Sequence, residues 1–274
     1  MKLLHFTDIH LTTPGQTIGG RDPNANFEAA LAHALQTHPD ADRIVITGDL
    51  SDWGDRADYE RLRTRIAALA LPVELCIGNH DDRSTMLSVF PEHADEHGFV
   101  QRVFGLPIGI GITLDTCWPE THAGRYCERR RLWLDAQVAD APGPVWLFMH
   151  HNPVPTGVVP TDRIMLQDAD SFGVVIARHA RKIRHIFFGH CHMPLTGSFH
   201  GVPVSAPRGT NHASFANFAE RRLLTRSALP EAYGVISVDG PSVTVHMIEF
   251  THADALTVEG SPDYADWDRA SMAR

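Results

Sequence analysis

Cysteine is scarce and scattered. Cys76, Cys117, Cys127 and Cys191 include no Cys-x-x-Cys pair, which excludes a cysteine-built zinc site or a disulfide framework and leaves buried free thiols as the expectation. Long apolar runs are also missing. No segment approaches the roughly 20 apolar residues of a membrane span, and the opening "MKLLHFTDIH" is too short in apolar residues for a secretory leader. A cytoplasmic location is the expectation. Positive charge is in deficit: 24 Lys plus Arg face 33 Asp plus Glu, a net charge of −9, which disfavours broad binding to nucleic acid or anionic membranes. Internal repeats and low-complexity linkers are absent too. What remains is a chain of 274 residues, 43% hydrophobic, long enough to bury a substantial core as one large domain with an appendage.

Apolar runs rich in β-branched and aromatic residues recur at "KLLHF", "RIVIT", "VELCI", "GIGITL", "VWLFM" and "HIFF", and read as strands. "YGVISVDGPSVTVHMI" reads as a hairpin turning at Asp239-Gly240. Helical patterns lie between them at "NANFEAALAHALQTH", "DRADYERLRTRIAALA", "ERRRLWLDAQVAD" and within 164–182. Strands alternating with helices indicate an α/β core. Residues 206–230 read as irregular, and 251–274 as a polar tail.

The polar residues at the strand ends are the informative feature. "KLLHF" runs into Asp8 and His10, "RIVIT" into Gly48-Asp49, "VELCI" into Gly78-Asn79-His80-Asp81, "VWLFM" into His150-His151, and "HIFF" into Gly189-His190-Cys191-His192. Carboxyl ends of strands are where α/β sheets build sites. In extended chain, His190 and His192 face one way and Cys191 the other. One His-x-His in a chain with 18 histidines is weak by itself; five metal-type clusters in order are not. Imidazole, carboxylate and amide donors suit borderline divalent ions better than Ca or Mg. His5, His151 and His185 alternate away from these positions and read as packing residues.

The ordered set D-x-H, G-D, G-N-H-D, H-H and G-H-x-H resembles the calcineurin-type metallophosphoesterase family. The resemblance implies a four-layer αββα sandwich of two mixed sheets flanked by helices, over residues 1–250, with 206–250 supplying a small cap or dimerisation region and the closing hairpin. It implies that Asp8, His10 and His192 hold one metal, that Asn79, His150 and His190 hold a second, and that Asp49 bridges them. Mn, Fe, Zn and Co are the candidates. Two dications against two carboxylates and a bridging hydroxide leave about one positive charge for an anionic phosphoester, attacked in line by that hydroxide. His80 then contacts the phosphoryl group or protonates the leaving group. Asp52 resembles the aspartate that orients this histidine, with a solvated helix cap as its alternative and Asp81 as another orienting candidate.

"FTDIH", "DPNANFEAAL", "GNHDD", "MHHNP" and "GTNHASFA" are similar to the bacterial branch of cyclic-nucleotide and glycerophosphodiester phosphodiesterases. The branch implies a small diester substrate bound by Asn79, His80 and His212, and a homodimer or higher homo-oligomer. "GDLSDWG" departs from the phosphoprotein phosphatases, with Trp53 replacing their phosphate-clamping arginine. A phosphomonoesterase or nuclease using the same metals, or a scaffold without turnover, are the alternatives; the scaffold should have lost ligands, and all seven are present.

Overall fold

In the computed structural model, which describes residues 1–251, the apolar runs alternate sides. β1 (Lys2–Phe6) sends Leu4 and Phe6 toward helices and Leu3 toward a second sheet. β2 (Arg43–Thr47) splits Ile44 and Ile46 from Val45 in the same way. In the facing sheet, β6 (Val145–Phe148) and β7 (Ile183–Phe187) point Trp146, Phe148 and Phe187 at the first sheet, and Leu147 and Ile186 at their own helices. A strand buried on both faces has no polar side, so it reads as continuous apolar sequence. The inter-sheet layer includes Phe148 stacked on Phe187 at a 5.2 Å centroid distance.

The first sheet has the order β13-β12-β1-β2-β3, with β3 at Val73–Cys76, β12 at Tyr233–Asp239 and β13 at Ser242–Ile248. The second runs β4-β5-β6-β7-β9-β8, with β4 at Arg102–Gly105, β5 at Ile110–Thr113, β8 at Leu195–Phe199 and β9 at Val202–Ala206. Both are mixed: β1, β2 and β3 are parallel, as are β5, β6, β7 and β9, while β12, β4 and β8 pair antiparallel with their neighbours. A small ribbon joins β10 (Ala213–Ser214) to β11 (Arg226–Ser227).

Helices α1 (Pro23–Thr37), α2 (Arg56–Ala67) and α3 (Arg83–Val89) cover the first sheet. On the second sheet lie α4 (Glu128–Asp140) and α6 (Ala169–His179), with the single turn α5 (Val159–Asp162) ahead of α6. The result is the four-layer αββα sandwich. The elements that the sequence patterns did not indicate are those with the weakest periodic signal. β8 is largely exposed and contains Gly197; β9 contains Pro203; α3 has only seven residues, begun by the Asp82 side chain accepting from Thr85 N at 2.7 Å. Cys76, Cys117 and Cys191 are buried free thiols; Cys127 is half-buried. The tail beyond Thr251 lies outside the described residues, and no described helix is long and apolar enough to cross a membrane.

Candidate metal centre

The sheets bring five strand ends together. Parallel pairing of β1 with β2 continues past the strands: Asp8 N donates to Gly48 O at 3.1 Å and His10 N to Asp49 O at 2.8 Å. In the other sheet Gly189 N donates to His150 O at 3.0 Å. The sheets are tied across the site by His190 N, which donates to both Asp8 carboxylate oxygens at 3.2 and 3.1 Å.

Backbone strain marks the same residues. Six described non-glycine residues have positive φ, and five are Asp8 (53°), His10 (46°), Asp49 (49°), His190 (68°) and His192 (50°). Left-handed conformation costs a non-glycine residue on the order of 1 kcal/mol or more and persists where the surroundings enforce it. Here it turns side chains off the strand ends into one space. Gly78 lets the walls meet: a Cβ there would overlap Asp49 Oδ1 and lie 2.6 Å from His150 Nε2.

Two donor sets share Asp49. His10 Nε2 is 3.6 Å from Asp49 Oδ2 and 3.4 Å from His192 Nε2, which lies 3.3 Å from Asp8 Oδ1. On the other side His150 Nε2 is 3.4 Å from Asp49 Oδ2 and 3.1 Å from Asn79 Oδ1, while His190 Nδ1 is 2.8 Å from that amide oxygen and 3.3 Å from His150 Nε2. Donors about 2.1 Å from one tetrahedral or octahedral ion sit roughly 3.0–3.4 Å apart; five of these spacings lie in that range, with His10–Asp49 at 3.6 Å just above it and His190–Asn79 at 2.8 Å just below.

Proton positions fit as well. Three imidazoles donate Nδ1–H to an acceptor: His10 to Asp52 Oδ1 at 3.0 Å, His150 to Thr47 O at 2.8 Å and His192 to His212 O at 3.0 Å. Each Nε2 is therefore the ring nitrogen turned into the centre, where a bound cation would take the place of its proton, the arrangement that fixes a metal-ligating histidine. Burial lowers the pKa of His190 and His192, keeping them in the neutral form that ligates. Burial also opposes charge on His150 and Asp49, but their pairing outweighs it: His150 is raised to about 9 and Asp49 held well below the carboxylate range.

His80 stands beside this cradle. Its backbone N donates to Asp49 Oδ1 at 3.0 Å, and its Nδ1 to the main-chain oxygen of Asp52 at 2.9 Å, leaving Nε2 for the cavity. The Asp52 carboxylate is 3.6 Å from His80 Nδ1 but 3.0 Å from His10 Nδ1. Asp52 thus positions His80 through its carbonyl and His10 through its side chain. The helix-cap alternative does not apply, because Asp55 occupies the α2 N-cap. Asp81 is buried and takes bonds from Leu50 N, Ser51 N, Gly78 N and Tyr59 OH. Burial, then repulsion from Asp49, raises it to about 6. It braces the loops and makes no bond to the His80 ring.

His212 stacks on His192 at 4.0 Å and lines the cavity of about 860 Å³ that opens onto the cradle. His151 is buried against His190 and bonded to Thr116 and the His122 carbonyl. His5 bonds Thr47 and His185 bonds Ser205 in the inter-sheet layer, away from the cradle. Sequence reasoning missed His122: its Nδ1 accepts from Asn79 Nδ2 at 2.8 Å, and its ring is 5.3 Å from that of His80. It lies on the loop from Leu114 to Cys127, where no periodic signal exists.

The family model for calcineurin-like phosphoesterases matches residues 1–194. A protein of Rhodopseudomonas palustris named a probable cyclic nucleotide phosphodiesterase is 35% identical over 261 residues, covering 93% of this chain and 95% of its own. A cAMP/cGMP dual specificity phosphodiesterase of Mycobacterium tuberculosis is 33% identical, covering 76% of this chain and 67% of its own. Among solved structures, a dimetal phosphatase from Danio rerio superposes with a TM-score of 0.69 at 14% identity, over 91% of this chain and 96% of that one; at that identity the likeness concerns the fold. From its motifs, its sandwich and these relatives, the chain belongs to the calcineurin-like phosphoesterase family.

Proposed function

We propose that the chain is a dinuclear-metal phosphodiesterase hydrolysing small diesters, cyclic nucleotides or glycerophosphodiesters, with Asp8, His10, His192 and Asp49 holding one divalent ion and Asn79, His150, His190 and Asp49 the other. The observation that carries this is the pair of donor sets meeting at Asp49 Oδ2, with Nε2 of His10, His150 and His192 turned inward. The cyclic-nucleotide relatives support the diester class. When bound, such ions neutralise charge on the phosphoryl oxygens and acidify water.

The chain's own groups do the rest. Asp52, Thr47 O and His212 O fix the imidazole tautomers. His80, its Nδ1–H tied to Asp52 O, presents Nε2 to the cavity, where its protonated form would hand a proton to the departing alkoxide. Asn79 is oriented by His122, so its amide oxygen faces His150 and His190. His212 walls the substrate side. Borderline ions of the Mn, Fe, Zn or Co type match the nitrogen-rich donors.

Self-association is part of the proposal. Five of the eight large apolar side chains exposed among the described residues, Phe215, Phe218, Leu223, Leu224 and Leu229, fall within residues 215–229, the expected cap; light scattering should show a dimer or larger. Steady-state kinetics of the metal-reconstituted protein on cyclic AMP, glycerophosphocholine, bis(4-nitrophenyl) phosphate and 4-nitrophenyl phosphate test the activity. Diesters should be cleaved with higher kcat/KM than the monoester; the reverse order would make the protein a phosphomonoesterase.

A further inference from the structure

The cavity over the cradle carries more positive charge than a simple diester uses. Arg163, Arg222 and Arg226 line it. Twelve other arginines pair with carboxylates, whereas these three have no such partner among the described residues. The described carboxylates lining the cavity are Asp49 and Asp52, both engaged at the cradle. Two dications set against Asp8, Asp49 and a hydroxide leave about one positive charge, which one diester anion balances. Three guanidinium groups are surplus to that match.

Arg226 is placed by the fold. Its cross-strand partner on the β10–β11 ribbon is Ser214, whose backbone N donates to His192 O at 2.8 Å. A second rung, Phe215 N to Thr225 O at 2.8 Å, fixes the register. From there the side chain reaches the opposite wall: a Cβ on Gly19 would be 3.2 Å from Arg226 Nη1. Arg226 is thus anchored one strand from a ligand histidine and spans the cavity mouth. Trp53, 75% exposed on the same wall system, adds an open aromatic face of the kind on which a nucleobase stacks. At about 860 Å³ the cavity lies toward the upper end of the roughly 300–1,000 Å³ common for ligand pockets.

We propose that Arg226, with Arg222 and Arg163, forms an anion subsite that selects nucleotide diesters carrying a second phosphate besides the scissile one. A terminal phosphate brings about −1.5 to −2 and three acceptor oxygens, which guanidinium forks match bidentately. The inference rests on the phosphodiesterase reading of the same centre.

A matched pair tests it: adenylyl-(3′,5′)-adenosine and its 5′-phosphorylated form, which differ by one terminal phosphate. The metal-loaded wild type should cleave the phosphorylated dinucleotide with at least a 10-fold higher kcat/KM, mainly through KM. In the double variant Arg222→Gln/Arg226→Gln that ratio should fall to about one, Arg226→Lys should keep part of it, and Arg221→Gln, off the cavity, should keep all of it. A ratio near one in the wild type, or one retained by the double variant, overturns the proposal. Calorimetric binding of adenosine 3′,5′-bisphosphate against adenosine 5′-monophosphate needs no turnover. The bisphosphate should bind at least 10-fold tighter to the wild type and equally to the double variant. That result with no diester hydrolysis would refute the phosphodiesterase reading while sustaining the subsite; hydrolysis without discrimination in either assay would do the opposite.

Discussion

Gly78→Ala inserts one methyl group where the two donor sets meet. The added Cβ would overlap Asp49 Oδ1 and stand 2.6 Å from both Asp49 N and His150 Nε2. Non-bonded carbon contacts settle near 3.5 Å, so His150 Nε2 must retreat by about 0.9 Å. Metal–donor distances tolerate about 0.2 Å. Neither partner can yield freely: His150 Nδ1 is held to Thr47 O at 2.8 Å, and Asp49 sits on a strained backbone with its Oδ1 bonded to His80 N. Metal affinity should fall by on the order of 100-fold, and kcat/KM by at least as much because the reacting geometry shifts by about 1 Å. Overpacking should cost about 1–3 kcal/mol of stability. Metal titration by calorimetry, kinetics on bis(4-nitrophenyl) phosphate and a thermal melt read all three. Gly98→Ala serves as the control, since its φ is +77° but no atom lies within 4 Å of the new Cβ; it should cost stability alone. A folded Gly78→Ala protein with wild-type metal affinity and turnover would refute the reasoning.

His80→Ala should retain both metals and slow hydrolysis more for alkyl than for nitrophenyl diesters, roughly 10²-fold or more for the former; equal slowing would argue against proton donation. Asp52→Ala removes the acceptor of His10 Nδ1–H and should weaken metal binding about 10- to 100-fold, measured by competition with a chelating dye, with an unchanged constant counting against it. Burial lowers His5 to about 3 and His185 and His93 to about 4. All three are neutral when folded, and the unfolded chain takes up their protons below about pH 6.5, so stability is full above that and is lost as pH falls toward 3–4. Each should forfeit about 2 kcal/mol by pH 5. In denaturant melts His185→Gln should remove one such increment from the pH 8 to pH 5 difference; an unaltered pH slope would contradict the assignment.

The layers were legible because β1, β2, β6 and β7 are buried on both faces, which makes their sequences mainly apolar, interrupted only at His5 in β1 and Arg184-His185 in β7. The donor residues were legible because each comes within four or five residues of such a run. The β8–β9 hairpin at one end of the second sheet was not: both strands are short of apolar alternation, and the β10–β11 ribbon exists through four residues and its bond to His192 O. Asp52 was noticed as an orienting group, yet its split role depends on main-chain geometry, its carbonyl serving His80 and its carboxylate His10. His122 reaches Asn79 from a loop whose path is set by the bonds of its Thr116 hydroxyl and its His122 carbonyl to His151, and spacing carries no record of such contacts.

Metal stoichiometry by elemental analysis bears most directly on the shared role of Asp49. Reconstituted wild type should hold two divalent ions per chain, and Asp49→Ala, folded by its melt, should lose both together. Two ions retained by Asp49→Ala, or only one in the wild type, would contradict a bridged pair.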